Sequence, residues 1–163
     1  MNTSIFYLSI FLIGITFLGI LPYSDAELIA STFFGSTSTG PVFVDVDASG
    51  NVYSLSKIHK DGWATTGAYS TSMTGNSDFI IAKFSPDLST LIASTFLGGT
   101  DYDRASDLAI SSEGNIVLVG QSRSTDFPTT SNAYDTTFNG GGSDLIISSF
   151  SPDLSTLIAS TWL

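Results

Sequence analysis

From residue 42 onward the chain reads as short runs of apolar and β-branched residues, each closed by glycine, proline or a serine–aspartate pair. None of the runs carries the spacing of an amphipathic helix, so each is expected to be a strand. Four fall at 42–47, 51–56, 78–85 and 90–96, and four more at 105–111, 115–121, 144–150 and 156–162. The turns between them have their own chemistry. Gly50 supplies the positive φ that a tight hairpin after Ala48-Ser49 needs. In Ser85-Pro86-Asp87 the proline presets one turn position and the aspartate can close an Asx-turn. Along Phe79-Ile80-Ile81-Ala82-Lys83-Phe84 the alternating sets are Phe79, Ile81, Lys83 and Ile80, Ala82, Phe84. Both sets are mostly apolar, and Leu145-Ile146-Ile147 reads the same way, so these strands are expected to be covered on both faces.

The two groups of four are copies of one unit. The segment Phe84-Ser85-Pro86-Asp87-Leu88-Ser89-Thr90-Leu91-Ile92-Ala93-Ser94-Thr95 recurs unchanged at 150–161, and its second half appears a third time from Leu28 to Phe33. Other marks fall in step: Gly50-Asn51-Val52 with Gly114-Asn115-Ile116, Ala68-Tyr69 with Ala133-Tyr134, and Ser77-Asp78 with Ser143-Asp144. A period of about 65 residues built from four strands and no helix fits the blades of a β-propeller. A β-solenoid is the alternative, although its coils are usually shorter.

Several stretches carry a further likeness. Ser94-Thr95-Phe96-Leu97-Gly98-Gly99-Thr100, Gly114-Asn115-Ile116-Val117-Leu118-Val119-Gly120, Ser124-Thr125-Asp126-Phe127-Pro128-Thr129-Thr130 and Phe138-Asn139-Gly140-Gly141-Gly142-Ser143-Asp144 resemble the SBBP repeat. That family is named for a seven-bladed β-propeller and occurs mostly in secreted or surface proteins of bacteria and archaea. The resemblance spans nearly all of 28–163 and is better in the second unit. The first unit departs from it at Asp61-Gly62-Trp63-Ala64-Thr65 and at Met73-Thr74-Gly75-Asn76. It implies a propeller fold and export, and it transfers no catalytic residue.

The beginning of the chain has a different character. Between Ile5 and Leu21 the sequence is almost unbroken apolar, Pro22 ends it, and Ser24-Asp25-Ala26 places small residues where signal peptidase cuts. Residues 1–26 are therefore expected to be a secretory signal helix, cleaved after Ala26. No Lys or Arg precedes the run, and its length reaches the lower edge of a bilayer span, so a retained anchor is the alternative. The Asn2-Thr3-Ser4 sequon lies within this leader, and no N-glycan is expected on the mature protein.

Composition narrows the function. The formal charge is −10, from 15 Asp+Glu against 5 Lys+Arg, which argues against a nucleic-acid partner. With no cysteine there is no disulfide, thiolate zinc site or cysteine nucleophile. Candidate chemistry is sparse. Asp45-Val46-Asp47-Ala48-Ser49-Gly50-Asn51 opens like a calcium loop, but Ser56 stands where a closing Glu belongs and the second unit has Ala109, Ser111 and Glu113 instead. Turn chemistry is the preferred reading, since Asp, Asn and Gly are what such a hairpin needs in any case. Asp101, Asp103 and Asp107 are the densest acids and the best candidates for paired carboxylates acting on a sugar. His59, the only histidine, has no Gly-x-Ser-x-Gly elbow to serve and reads as an exposed connector residue. Gly140-Gly141-Gly142 lacks a following Lys or helix and reads as a turn rather than a phosphate cradle. Trp63, Phe127, Tyr69 and Tyr134 can stack on a ligand or plug the long connections onto their blades, and the repeat favours plugs for Tyr69 and Tyr134.

The sequence thus predicts an all-β chain: a hydrophobic signal helix at 1–26, then propeller-type repeats at 27–163. These divide into a leading strand at 28–34, one antiparallel four-stranded blade at 35–97 and a second at 98–163. Propellers use ~4–8 blades, so about two form an incomplete ring whose open blade faces are expected to pack on further copies or another repeat protein. The expected role is a secreted or cell-surface binding or structural module without enzymatic activity, cofactor or metal. Its ligand would be carbohydrate or protein, and it would touch a membrane only if the leader stays attached. The alternatives are a carbohydrate-active propeller enzyme using Asp101, Asp103 or Asp107, and a non-functional fragment of a longer propeller.

Overall fold

The computed structural model describes residues 30–32 and 42–163, together with four short N-terminal segments, in which Phe6–Leu8 pairs with Gly19–Leu21 and Phe11–Leu12 with Ile15–Thr16. The described residues of this stretch carry no helix, and the rest of the expected signal, with the cleavage site at Ala26, lies outside the described residues. Of the leading strand expected at 28–34, only residues 30–32 are described, and they carry no strand pairing.

Residues 42–163 form two antiparallel four-stranded sheets, with no helix among the described residues. The first sheet comprises β1 (Val42–Val46), β2 (Val52–Ile58), β3 (Asp78–Phe84) and β4 (Leu91–Leu97), each beside the next. The second repeats the meander with β5 (Asp103–Ile110), β6 (Ile116–Ser122), β7 (Asp144–Phe150) and β8 (Leu157–Trp162). The all-β, four-stranded repeat read from the sequence is therefore present. β5 starts two residues before its apolar run, because the Asp103 amide donates to the Ser77 carbonyl at 3.1 Å and Tyr102 bridges Ser77 in parallel. A long-range bond set this boundary, and hydrophobic patterning could not.

Both turn types obey their local chemistry. Gly50 and Gly114 each take φ of +83° and donate to the residue three back, Asp47 and Ser111 respectively. In the proline turns Asp87 and Asp153 accept the amides of Ser89 and Ser155 at 3.1 Å, which closes an Asx-turn in each. The following leucines, Leu88 and Leu154, have φ of 56° and 59°, a left-handed conformation costing a branched residue about 1–2 kcal/mol. Burying a leucine returns about 1.5–3 kcal/mol, and both side chains are buried. Packing holds them there.

The sheets stack head to tail. One face of the first sheet, carrying Tyr53, Leu55, Phe79 and Ile81, shares a core with Leu108, Ile116, Leu118, Ile146, Phe150 and Trp162 of the second. By the repeat, Ile116, Phe150 and Trp162 correspond to Val52, Phe84 and Phe96, which lie in the cluster on the opposite face of the first sheet. That cluster is capped by Trp63, Ala64 and Met73 from the β2–β3 connection. The faces in contact are therefore non-equivalent, a heterologous contact of the kind that propagates. The described residues form a stack of two blade-like sheets and not a closed ring.

Candidate functional site

The seam between the sheets is built around one proline turn. The Pro152 carbonyl accepts from Tyr53 Oη at 3.0 Å and from Lys83 Nζ at 3.3 Å. The Lys83 ammonium also lies 4.9 Å from the Tyr53 ring centroid and 3.6 Å from Asp47 Oδ2. Next to this grip, the Tyr69 amide donates to the Leu154 carbonyl at 3.0 Å and its ring meets Phe150 edge-on at 5.6 Å between centroids. Asp45 Oδ2 accepts the Ile110 amide of β5 at 2.8 Å. The connection of one unit thus grips the proline turn of the next.

The outward face of the second sheet is where a third unit would sit. Its residues Val117, Val119, Leu145, Ile147 and Ala159 are the counterparts of Tyr53, Leu55, Phe79, Ile81 and Ala93, all buried in the seam. None of the five outer residues is buried, and Leu145 is 51% exposed. A cavity of about 510 Å³ opens on this face between the 130–134 connection and β7–β8, lined by Tyr134, Ile147, Ser149, Ile158 and Ala159. Tyr134 is 91% exposed. Val117 and Ser149 replace Tyr53 and Lys83 there, so the polar grip on a carbonyl is absent and the surface is predominantly apolar.

The sequence-predicted chemical residues are dispersed. Asp103 pairs in register with Ser122, and Asp107 with Val119, which point to opposite faces of the sheet, so these two carboxylates do not converge. Asp101 lies on the preceding turn, its Oδ1 accepting the Tyr102 amide. Both aspartates of the calcium-like loop are committed to protein donors. Asp47 accepts the Ser49 and Asn51 amides at 2.9 Å and the Asn51 side chain at 2.8 Å, while Asp45 takes the Val46 and Ile110 amides. No group of three metal-ligating side chains assembles among the described residues. His59 is exposed and its Nδ1 lies 2.8 Å from the Asn76 carbonyl, bracing the ends of the long connection. Trp63 plugs the first blade; Phe127 plugs the second, meeting Trp162 at 5.6 Å and Phe79 at 6.1 Å. Tyr69 is not a plug on its own blade but a tie to the next.

Two carboxylates are buried where the strands begin. Asp78 and Asp103 flank Gly98, on which a Cβ would meet Asp78 Cγ at 2.5 Å and Asp103 Oδ2 at 2.6 Å. Asp103 accepts from the Gly99 amide at 2.8 Å and from Ser124 Oγ at 3.2 Å. Burial pushes its pKa up to about 6, against these hydrogen bonds and with Asp78 adding to the rise. Asp78 is raised as well, chiefly by burial.

Beside this pair opens a groove of about 270 Å³ lined by Lys57, Ser77, Tyr102, Asp103, Arg104, Gln121, Arg123 and Ser143. Sequence reasoning missed it. Its basic residues are far apart in the chain and meet only because β2, β5 and β6 end at one edge. The chain matches none of the family models and none of the curated proteins it was compared with.

Proposed function

We propose that the chain is an exported, cell-surface or extracellular propeller-type repeat protein of the SBBP kind. It acts as a non-enzymatic binding and structural module that assembles through its blade faces. The apolar leader, the absence of cysteine and the twelve-residue exact repeat support this reading. One contrast carries it: Tyr69 is seated on the following unit, whereas its counterpart Tyr134 stands exposed beside an apolar groove. The occupant of that groove is the proline turn of another unit from a second copy of the chain, seated by apolar contact because Val117 and Ser149 stand where Tyr53 and Lys83 hold the turn in the seam. An apolar surface of this kind beside a rigid sheet is a docking surface by default. Hydrogen exchange tests it: the Tyr134 amide gains protection as protein concentration rises, and unchanged fast exchange across the whole range contradicts self-assembly.

A further inference from the structure

The chain is strongly acidic, yet three of its five cations, Lys57, Arg104 and Arg123, line the single groove beside Asp103. Of the other two, Lys83 is paired with Asp47 and Lys60 is exposed at the end of β2. Among the described residues, the side chains of Lys57, Arg104 and Arg123 make no ion pair and no hydrogen bond. Beneath them the Ser77 hydroxyl is fully buried and has no partner. A buried hydroxyl left unpaired costs about 1–3 kcal/mol, so the wall of the groove carries an unmet polar demand. Lining the same groove are the Gln121 amide, the Ser143 hydroxyl and the half-exposed ring of Tyr102.

We propose that this groove binds a small carboxylate carried on a hydroxylated body, a sugar acid being the simplest such ligand. The two guanidinium forks match a carboxylate in geometry and charge. Gln121 and Ser143, both exposed, match hydroxyl groups, and Tyr102 offers a ring face to stack against a sugar. The volume, about 270 Å³, falls just below the ~300–1,000 Å³ of ordinary ligand pockets and suits one sugar ring rather than a chain of them. The whole chain's formal charge of −10 repels a densely charged anionic polymer, so the ligand carries one or two charges. The one acid in the lining, Asp103, has its oxygens engaged by Gly99 and Ser124 and is fully buried. The groove lies at the strand ends, where Gln121 pairs in register with Leu145 of the outer face, so the titration is run on the dilute chain to keep binding separate from assembly.

The experiment is calorimetric titration of the chain with glucuronate, acetate and glucose at low salt. Saturable binding of glucuronate is expected, with acetate at least about tenfold weaker and glucose silent, the loss of a charge-assisted pair being of that order. Arg104→Gln and Arg123→Gln each lower glucuronate affinity about tenfold, while circular dichroism reports an unchanged fold because both side chains are exposed. No saturable glucuronate binding, or binding that both variants leave unchanged, overturns the site. Acetate binding as tightly as glucuronate overturns the hydroxylated body and leaves a bare anion site.

Discussion

The Tyr69 amide donates to the carbonyl of Leu154 at 3.0 Å, joining the long connection of the first blade to the proline turn of the second. The Tyr69 ring on Phe150 and the Tyr53 hydroxyl on Pro152 reinforce the same junction. Removing the ring by Tyr69→Ala is expected to lower unfolding stability by about 1–2 kcal/mol, from the lost aromatic pair and its partial burial. Tyr134→Ala, at the equivalent but exposed position, should stay within about 0.5 kcal/mol for the monomer. Denaturant melts of the two variants give the comparison, and equal losses would mean that Tyr69 does not tie the sheets.

Tyr53→Phe isolates the hydroxyl at the seam. The ring stays under Lys83, and only the bond to the Pro152 carbonyl goes. Because Lys83 Nζ still reaches that carbonyl, the expected loss is about 0.5–1.5 kcal/mol and not the full penalty of an orphaned acceptor. Chemical denaturation at neutral pH measures it.

Gly98 has no room for a side chain. Because a methyl group would sit 2.5 Å from Asp78 Cγ and 2.6 Å from Asp103 Oδ2, well inside van der Waals contact, Gly98→Ala must displace Asp78, Asp103 or the strand end. Overpacking of this kind costs about 1–3 kcal/mol. By contrast a Cβ on Gly142 meets nothing, so Gly142→Ala should be close to neutral, and thermal melts of the pair distinguish a packing constraint from a general glycine effect.

The buried acids fix a pH dependence. Asp103 holds its proton up to about pH 6 in the folded state and releases it at its ordinary, lower value when unfolded. Between those values the folded state binds more protons, so stability falls as pH rises from about 4 to about 6, by at most about 3 kcal/mol. Asp78, flanking Gly98 with it, works in the same direction; Asp61 and Asp126 face Asp78, and Lys57, Arg104 and Arg123 line the adjacent groove. The turn acids act oppositely. Asp87, held down to about 2 by Ser85 and Ser89, and Asp153 and Asp135, also lowered by their hydrogen bonds, lose stability as pH drops below about 4. An optimum near pH 4–5 is expected, and Asp103→Asn should flatten the slope above it.

The strands, both turn types and the pairing of equivalent positions were legible because they are local: alternation, glycine, proline and an exact repeat. What the repeat could not convey is that equivalent residues need not have equivalent surroundings. Tyr69 and Tyr134 share a motif, but only one has a following unit against it. Leu88 and Leu154 look like ordinary turn leucines, and their left-handed backbone depends on burial decided by distant strands. Asp103 reads as one of three loop acids, whereas register with Ser122 and the bond to Ser77 bury it. The groove basic residues were invisible for the same reason, since Lys57 and Arg123 are brought together only by the stacking of sheets.

Static light scattering of the chain across a concentration series, with Ile147→Asp as the partner measurement, tests assembly most directly. Ile147 lies on the outward groove, so a charge there blocks docking without touching the seam. The expected result is mass that rises with concentration for the original chain and stays at the monomer value for Ile147→Asp. A folded chain that remains a monodisperse monomer at every concentration would contradict the account.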